Sequence, residues 1–249
     1  MTGLALIQGA SRGLGLALTR AVLARTAHGQ VFATCREPEQ ATELAALRAQ
    51  YPGRLTVLAL DVTREADVAR AAELVRRDTD RLHLVLNVAG VLHGPGFGPE
   101  KKISQVDPDA LHRMFSVNAF GPLLVAKHFH GLLRHDERSV FASLSARIGS
   151  ISDNRLGGWY AYRGSKAAQN MFTKTLSIEL GRVAPRAIVV GLHPGTVDTD
   201  LSKPFQKGVP LEQLLPPARS ADALLRVIDD LTEQDTGKVF DFRGLEISP

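Results

Sequence analysis

A chain of 249 residues with 44% hydrophobic and 22% charged side chains has the composition of an ordinary folded protein and enough length to bury a substantial core, which excludes disordered and fibrous classes. No apolar run reaches the roughly 18 residues of a membrane span, the opening MTGLALIQGA lacks the basic region of a signal peptide, and a single cysteine, Cys35, rules out an internal disulfide, so the chain reads as cytoplasmic. Its net charge of +4 is spread among interleaved acids, as in RRDTDR and RHDER. Without a basic stripe or recognition motif, neither nucleic acid nor membrane is expected as a partner.

In chain order, short apolar runs alternate with longer segments of helical period. The runs at 4–9, 31–35, 55–61, 82–90, 139–145 and 187–195 read as strands, and KVFDF near the end reads as a seventh. Several are apolar on both faces, as strands of a parallel sheet covered on each side must be. Between them helices are expected at 14–27, 38–50, 65–79, 108–134, 159–184 and 219–233. This alternation predicts one α/β domain over 1–249, a Rossmann-type, doubly wound, mainly parallel sheet. The irregular segments at 91–108 and 198–219 follow strand carboxyl ends, where such sheets bind ligands, and are the candidate substrate loops.

QGASRGLG, at the end of the first strand, places Gly9, Gly13 and Gly15 where backbone must turn sharply and approach a pyrophosphate. Ser11, Arg12 and Leu14 complete the loop around it. The second strand ends in TCRE, with Arg36 where a dinucleotide site for NAD would carry an acid. Arg12 and Arg36 together suit the 2′-phosphate of NADP(H), which is preferred; NAD(H) stays open because Glu37 could act as that acid. His128, His130 and His135 lie close in sequence, but spacings of two and five do not gather them on one helix face, and no metal site is expected.

These motifs, with LDVT (Asp61, Val62), NVAG (Asn87, Ala89, Gly90), Asn118 in FSVNAFGP, a serine after the fifth strand, Tyr162-x-x-x-Lys166 and HPGTVDT, occur in the order and spacing of the short-chain dehydrogenase/reductase family, which the chain resembles over essentially its whole length. Its central segment most resembles the branch containing C-factor signalling proteins and sniffer-type carbonyl reductases. Two departures stand out: Gln8 replaces the usual threonine, and Val88 the second asparagine of the usual motif.

The resemblance implies a homodimer or homotetramer joined through the helices at 108–134 and 159–184, and a small carbonyl or alcohol substrate. Residues four apart share a helix face and residues six apart do not, so Tyr162 rather than Tyr160 pairs with Lys166. Tyr162 is then the proton donor or acceptor, with a phenol pKa expected to fall toward 7 beside the ammonium and an oxidised nicotinamide. Lys166 holds the ribose, and Asn118 orders a water relay to it. Ser145, with Ser143 as the alternative, would bond the substrate oxygen. Pro194, Gly195, Val197 and Thr199 would line the nicotinamide and pyrophosphate. A signalling protein that binds a dinucleotide without turnover is the competing expectation.

Overall fold

The computed structural model describes residues 3–25 and 29–249. Seven strands, β1 (Ala5–Gln8), β2 (Val31–Cys35), β3 (Leu55–Ala59), β4 (Leu84–Asn87), β5 (Ser139–Leu144), β6 (Ala187–His193) and β9 (Val239–Asp241), form a parallel sheet in the order β3-β2-β1-β4-β5-β6-β9. The order reverses between β1 and β4, so a crevice opens above their carboxyl ends, the ligand position of open α/β sheets.

The continuous apolar runs are explained by alternation. Ala5 and Ile7 enter one core and Leu6 the other; Val31 and Ala33 part from Phe32 in the same way, because successive side chains of a strand point to opposite faces. The first core is covered by α1 (Gly13–Arg25), α2 (Thr42–Gln50) and α7 (Pro217–Asp230). The second lies under α3 (Glu65–Asp78), α5 (Gly121–Phe129) and α6 (Tyr160–Val183).

The expected helix at 108–134 is not continuous. It consists of α4 (Pro108–Phe115), a single π turn at Ser116–Phe120, α5 and a 3-10 turn at His130–Leu133. Pro122 has no N–H for the carbonyl of Asn118 four residues earlier, so the regular helical ladder is interrupted at that point. The expected end of the first helix at 27 lies outside the described residues. The strands also stop sooner than their apolar runs suggest, β4 at Asn87, β5 at Leu144 and β6 at His193. Their last motif residues therefore sit in turns above the sheet. In the segment after β6, β7 (Thr196–Val197) pairs with β8 (Leu214–Leu215) and ties the two ends of the loop together.

Candidate active site

The chain leaves β1 at Gln8 and turns at Gly9, where φ is +85°, before α1 begins at Gly13 with φ of +53°. A Cβ on Gly9 would lie 2.6 Å from the Ala89 nitrogen, and one on Gly15 would lie 2.0 Å from the Gly9 carbonyl oxygen. Only glycine permits that closeness. The Gly9 and Ala10 amides both donate to the Thr34 carbonyl, at 3.0 and 2.9 Å, which fixes the turn to β2. Gln8 supplies the remaining tie: its side-chain Oε1 accepts from the Ala89 N–H at 3.2 Å, so the amide does here what the family's threonine is expected to do.

This turn has the features that a dinucleotide pyrophosphate needs. The first amides of α1 are those that a helix leaves without internal partners, at its positive end. Ser11 and Gly13 are half-buried at the edge of the crevice, while the Leu14 side chain is buried in the core and can offer only its backbone. Thr199 comes across from the segment after β6, its methyl carbon 3.2 Å from where a Gly13 Cβ would lie. Asp61 spends its carboxylate on its own turn, accepting from the Thr63 N–H and hydroxyl at 2.9 and 2.7 Å, and Val62 is buried against Gly121. Both hold the loop at the crevice edge.

At the end of β2, Cys35 is buried and Arg36 and Glu37 are exposed. The Arg36 guanidinium has no hydrogen-bond or ionic partner among the described residues. Arg12 does: it reaches Asp200 at 3.2 Å, an ion pair 71% exposed on both sides, which joins the glycine turn to the segment after β6. The two arginines of the expected phosphate clamp are therefore unlike in this structure, one free and one engaged.

On α6, Tyr162 and Lys166 face the crevice and are buried, whereas Tyr160 is 42% exposed, as the helical spacing requires. The Lys166 Nζ donates to the Leu144 carbonyl at 2.6 Å and to the Gln169 amide oxygen at 3.1 Å, and lies 5.9 Å from the centre of the Tyr162 ring. Gly90 passes directly beside it; a Cβ there would be 4.0 Å from Nζ and 3.6 Å from the Asn118 oxygen. Asn118, fully buried in the π turn, accepts from the Val91 N–H at 2.8 Å and donates to the Val91 carbonyl at 2.8 Å and to the Ser165 hydroxyl at 3.1 Å. It thereby binds α6 to the strand end that carries Asn87, Ala89 and Gly90. Asn87 itself donates to Ser143 at 3.2 Å inside the sheet.

Burial acts on both members of the Tyr162–Lys166 pair. Burial pushes the phenol up to about 12 and the Lys166 ammonium down to about 7. Desolvation disfavours both charged forms. His193, also pushed down, to about 4, chiefly by burial and next by Arg147, is neutral near pH 7.

Ser145, expected to bond the substrate oxygen, has a partner within the protein. Its hydroxyl donates to the Asn170 Oδ1 at 2.6 Å, on α6 two turns beyond Tyr162, and its amide donates to Leu192. Ala146, in extended backbone with φ of −151° and ψ of 148°, points the other way and packs with the cluster around Tyr162. Ser143, the alternative, is tied to Asn87 within the sheet. The rest of that cluster is apolar and aromatic: the Trp159 ring lies 6.2 Å from that of Tyr162 and 5.0 Å from that of Phe205, which meets His93 at 5.6 Å.

On the nicotinamide side, Gly195 turns with φ of +79°, and a Cβ there would strike Leu215 at 2.8 Å. Ser220 anchors the Pro194 carbonyl at 2.8 Å, and Val197 is held in the β7–β8 pair. The sequence alone did not point to Glu100. It is buried, its backbone carbonyl accepts from the Trp159 N–H at 2.5 Å and its carboxylate from the Ala161 N–H at 3.2 Å, so it caps the start of the helix that carries Tyr162. Only a buried acid in an otherwise irregular loop could have signalled it. The three histidines at 128, 130 and 135 turn to three separate partners, Glu65, the Lys127 carbonyl and the Leu82 carbonyl.

A family model described as short chain dehydrogenase matches residues 3–209. The chain belongs to the short chain dehydrogenase family. C-signal of Myxococcus xanthus is 36% identical over 170 residues, spanning 68% of this chain and 93% of that protein. Two solved structures superpose on nearly the whole fold. The NADPH-bound carbonyl reductase from chicken fatty liver has a TM-score of 0.86 at 29% identity, covering 98% of each chain, and the carbonyl reductase Sniffer of Drosophila melanogaster has 0.87 at 27%, covering 100% of each. The chain is thus an oxidoreductase of this family.

Proposed function

We propose that the protein is an NADPH-dependent reductase of ketones or aldehydes, with Tyr162 as the proton donor. The observation that carries this reading is the convergence of Tyr162, Lys166, Asn118 and Gly90 at the open end of the crevice, beside a glycine turn built for a pyrophosphate. The NADPH-bound and carbonyl-reducing neighbours described above support it, as does the unpaired Arg36 where a 2′-phosphate would lie.

Held by the glycine turn, Lys166 and the segment after β6, NADPH would supply a hydride to the carbonyl carbon. Tyr162 gives its proton to the carbonyl oxygen, and C=O becomes CH–OH; in reverse Tyr162 accepts the alcohol proton. A phenol pushed up by burial is protonated and ready to donate in the reductive direction. Lys166, on one helix face with it, replenishes that proton and presents donors to the ribose. Asn118 holds the backbone of Val91, so Gly90 and Lys166 keep their distance. Trp159 and Phe205 exclude water from the reacting carbon.

NADPH oxidation with a panel of ketones and aldehydes tests the reading: we expect turnover that falls by at least roughly a hundredfold in Tyr162→Phe, and equal rates in both proteins would sink it. C-signal among the relatives favours a second reading, a dinucleotide-binding signalling protein that does not need turnover. The same panel separates the two. Self-association through the outer faces of α5 and α6, where Phe120, Leu123, Met171 and Ile178 are exposed, belongs to the proposal and is measured by sedimentation.

A further inference from the structure

A phenol that donates to a carbonyl usually shares that oxygen with a second donor, and the position of Ser145 and Ala146 bears directly on whether one exists here. The hydroxyl of Ser145 has a single proton. At 2.6 Å from Asn170 Oδ1, the contact is too short for an amide N–H donor and fits O–H···O; the proton is on the serine and is spent on α6. Its Cβ lies on the β6 side, 3.5 Å from where a Gly191 Cβ would be. Because the backbone is extended at Ala146, consecutive side chains diverge, and the one that meets the Tyr162 cluster is a methyl group. Of the other residues that pack there, Leu92, Met114, Ala161, Val91 and Phe97 have no polar side-chain hydrogen, and Trp159 carries its indole N–H. Asn118 and Lys166 are committed to Val91, Ser165, Leu144 and Gln169.

We propose that no serine hydroxyl shares the substrate oxygen with Tyr162, that Ala146 occupies the place from which such a donor would act, and that the enzyme consequently favours carbonyls already electron-poor. This rests on the reductase reading above. Without that hydroxyl, less of the charge that develops on oxygen is stabilised by the protein, so the substrate's own substituents must carry more of it. Ser145 in turn is a structural residue that fastens the end of β5 to α6.

Para-substituted benzaldehydes, from nitro to methoxy, provide the test with NADPH. We expect kcat to rise steeply with electron withdrawal in the wild type. In Ala146→Ser, kcat should increase by roughly tenfold on the methoxy compound and by less on the nitro compound, which flattens the dependence. Ser145→Ala should keep the wild-type kcat and its dependence on substituent, and its loss of stability should be coupled to that of Asn170→Ala in a double-mutant cycle. Wild-type turnover with no gain and an unchanged slope in Ala146→Ser overturns this proposal alone, as does a hundredfold loss of kcat in a stably folded Ser145→Ala. Additive stability losses in the cycle remove the Asn170 tie. Absence of turnover with every aldehyde in both proteins overturns the reductase reading and the proposal together.

Discussion

The Gln8 side chain accepts a hydrogen bond from the Ala89 N–H at 3.2 Å, and through it the turn after β1 and the turn after β4 become one surface. Both residues sit where the sheet order reverses, and Gln8 is only 3% exposed. In Gln8→Leu the Ala89 N–H loses its acceptor in a partly buried place, so we expect a loss of about 1–3 kcal/mol by denaturant unfolding. Dinucleotide affinity should fall with it, as read by fluorescence titration. Gln8→Thr should recover part of both.

Among the described residues Arg36 has no partner, whereas Arg12 is paired with Asp200. An arginine that must give up a carboxylate gains less from a new phosphate than one that has no partner. Arg36→Asp should therefore weaken NADPH binding by at least roughly tenfold with little effect on NADH, and Arg12→Ala should cost less. Equal losses for the two cofactors in Arg36→Asp would remove the 2′-phosphate assignment.

Lys166 has a pKa lowered to about 7 in the folded protein against about 10.4 in an unfolded chain. Between those values the unfolded state binds more protons, so stability must rise with pH. We expect a gain on the order of 2 kcal/mol between pH 7 and 9.5, because the two acceptors on Nζ oppose part of the desolvation. Lys166→Met should be flat over that window. On the acid side His193, lowered to about 4, costs stability as the pH falls from about 6.5 toward 4, and His193→Phe should reduce that slope.

Glu100 caps the first turn of α6 through the Ala161 N–H, one residue from Tyr162. Removing a helix N-terminal acceptor costs about 1 kcal/mol, and we expect that loss from Glu100→Ala in thermal unfolding. Because the freed turn carries the phenol, kcat should drop as well. Glu100→Gln keeps an acceptor oxygen and should restore most of both.

Much of this was legible beforehand because the fold depends on periodicity. Alternation through Ala5, Leu6 and Ile7 forces a sheet buried on both sides, and a four-residue spacing puts Tyr162 and Lys166 on one face. What escaped was set beyond the ends of regular elements. β5 stops at Leu144, so nothing in the strand pattern tells which way Ser145 and Ala146 point; the bond to Asn170, twenty-five residues later, decides it. The π turn at Asn118 needed the missing N–H of Pro122 to be weighed against an otherwise regular helical pattern. Burial, a property of the whole fold, adds a contribution that raises the Tyr162 pKa, which helical spacing does not reveal.

The two bonds that fasten the end of β5 to α6, Lys166 to the Leu144 carbonyl and Ser145 to Asn170, both at 2.6 Å, have a kinetic consequence. They make one side of the cleft a single unit, leaving the Phe205 segment, which meets Trp159 through ring contact, as the side that yields. On the reductase reading, we expect departure of the alcohol to be timed by that segment. Phe205→Ala should shorten the residence of product, seen as a faster release phase in stopped-flow fluorescence with an unchanged rate of the hydride step.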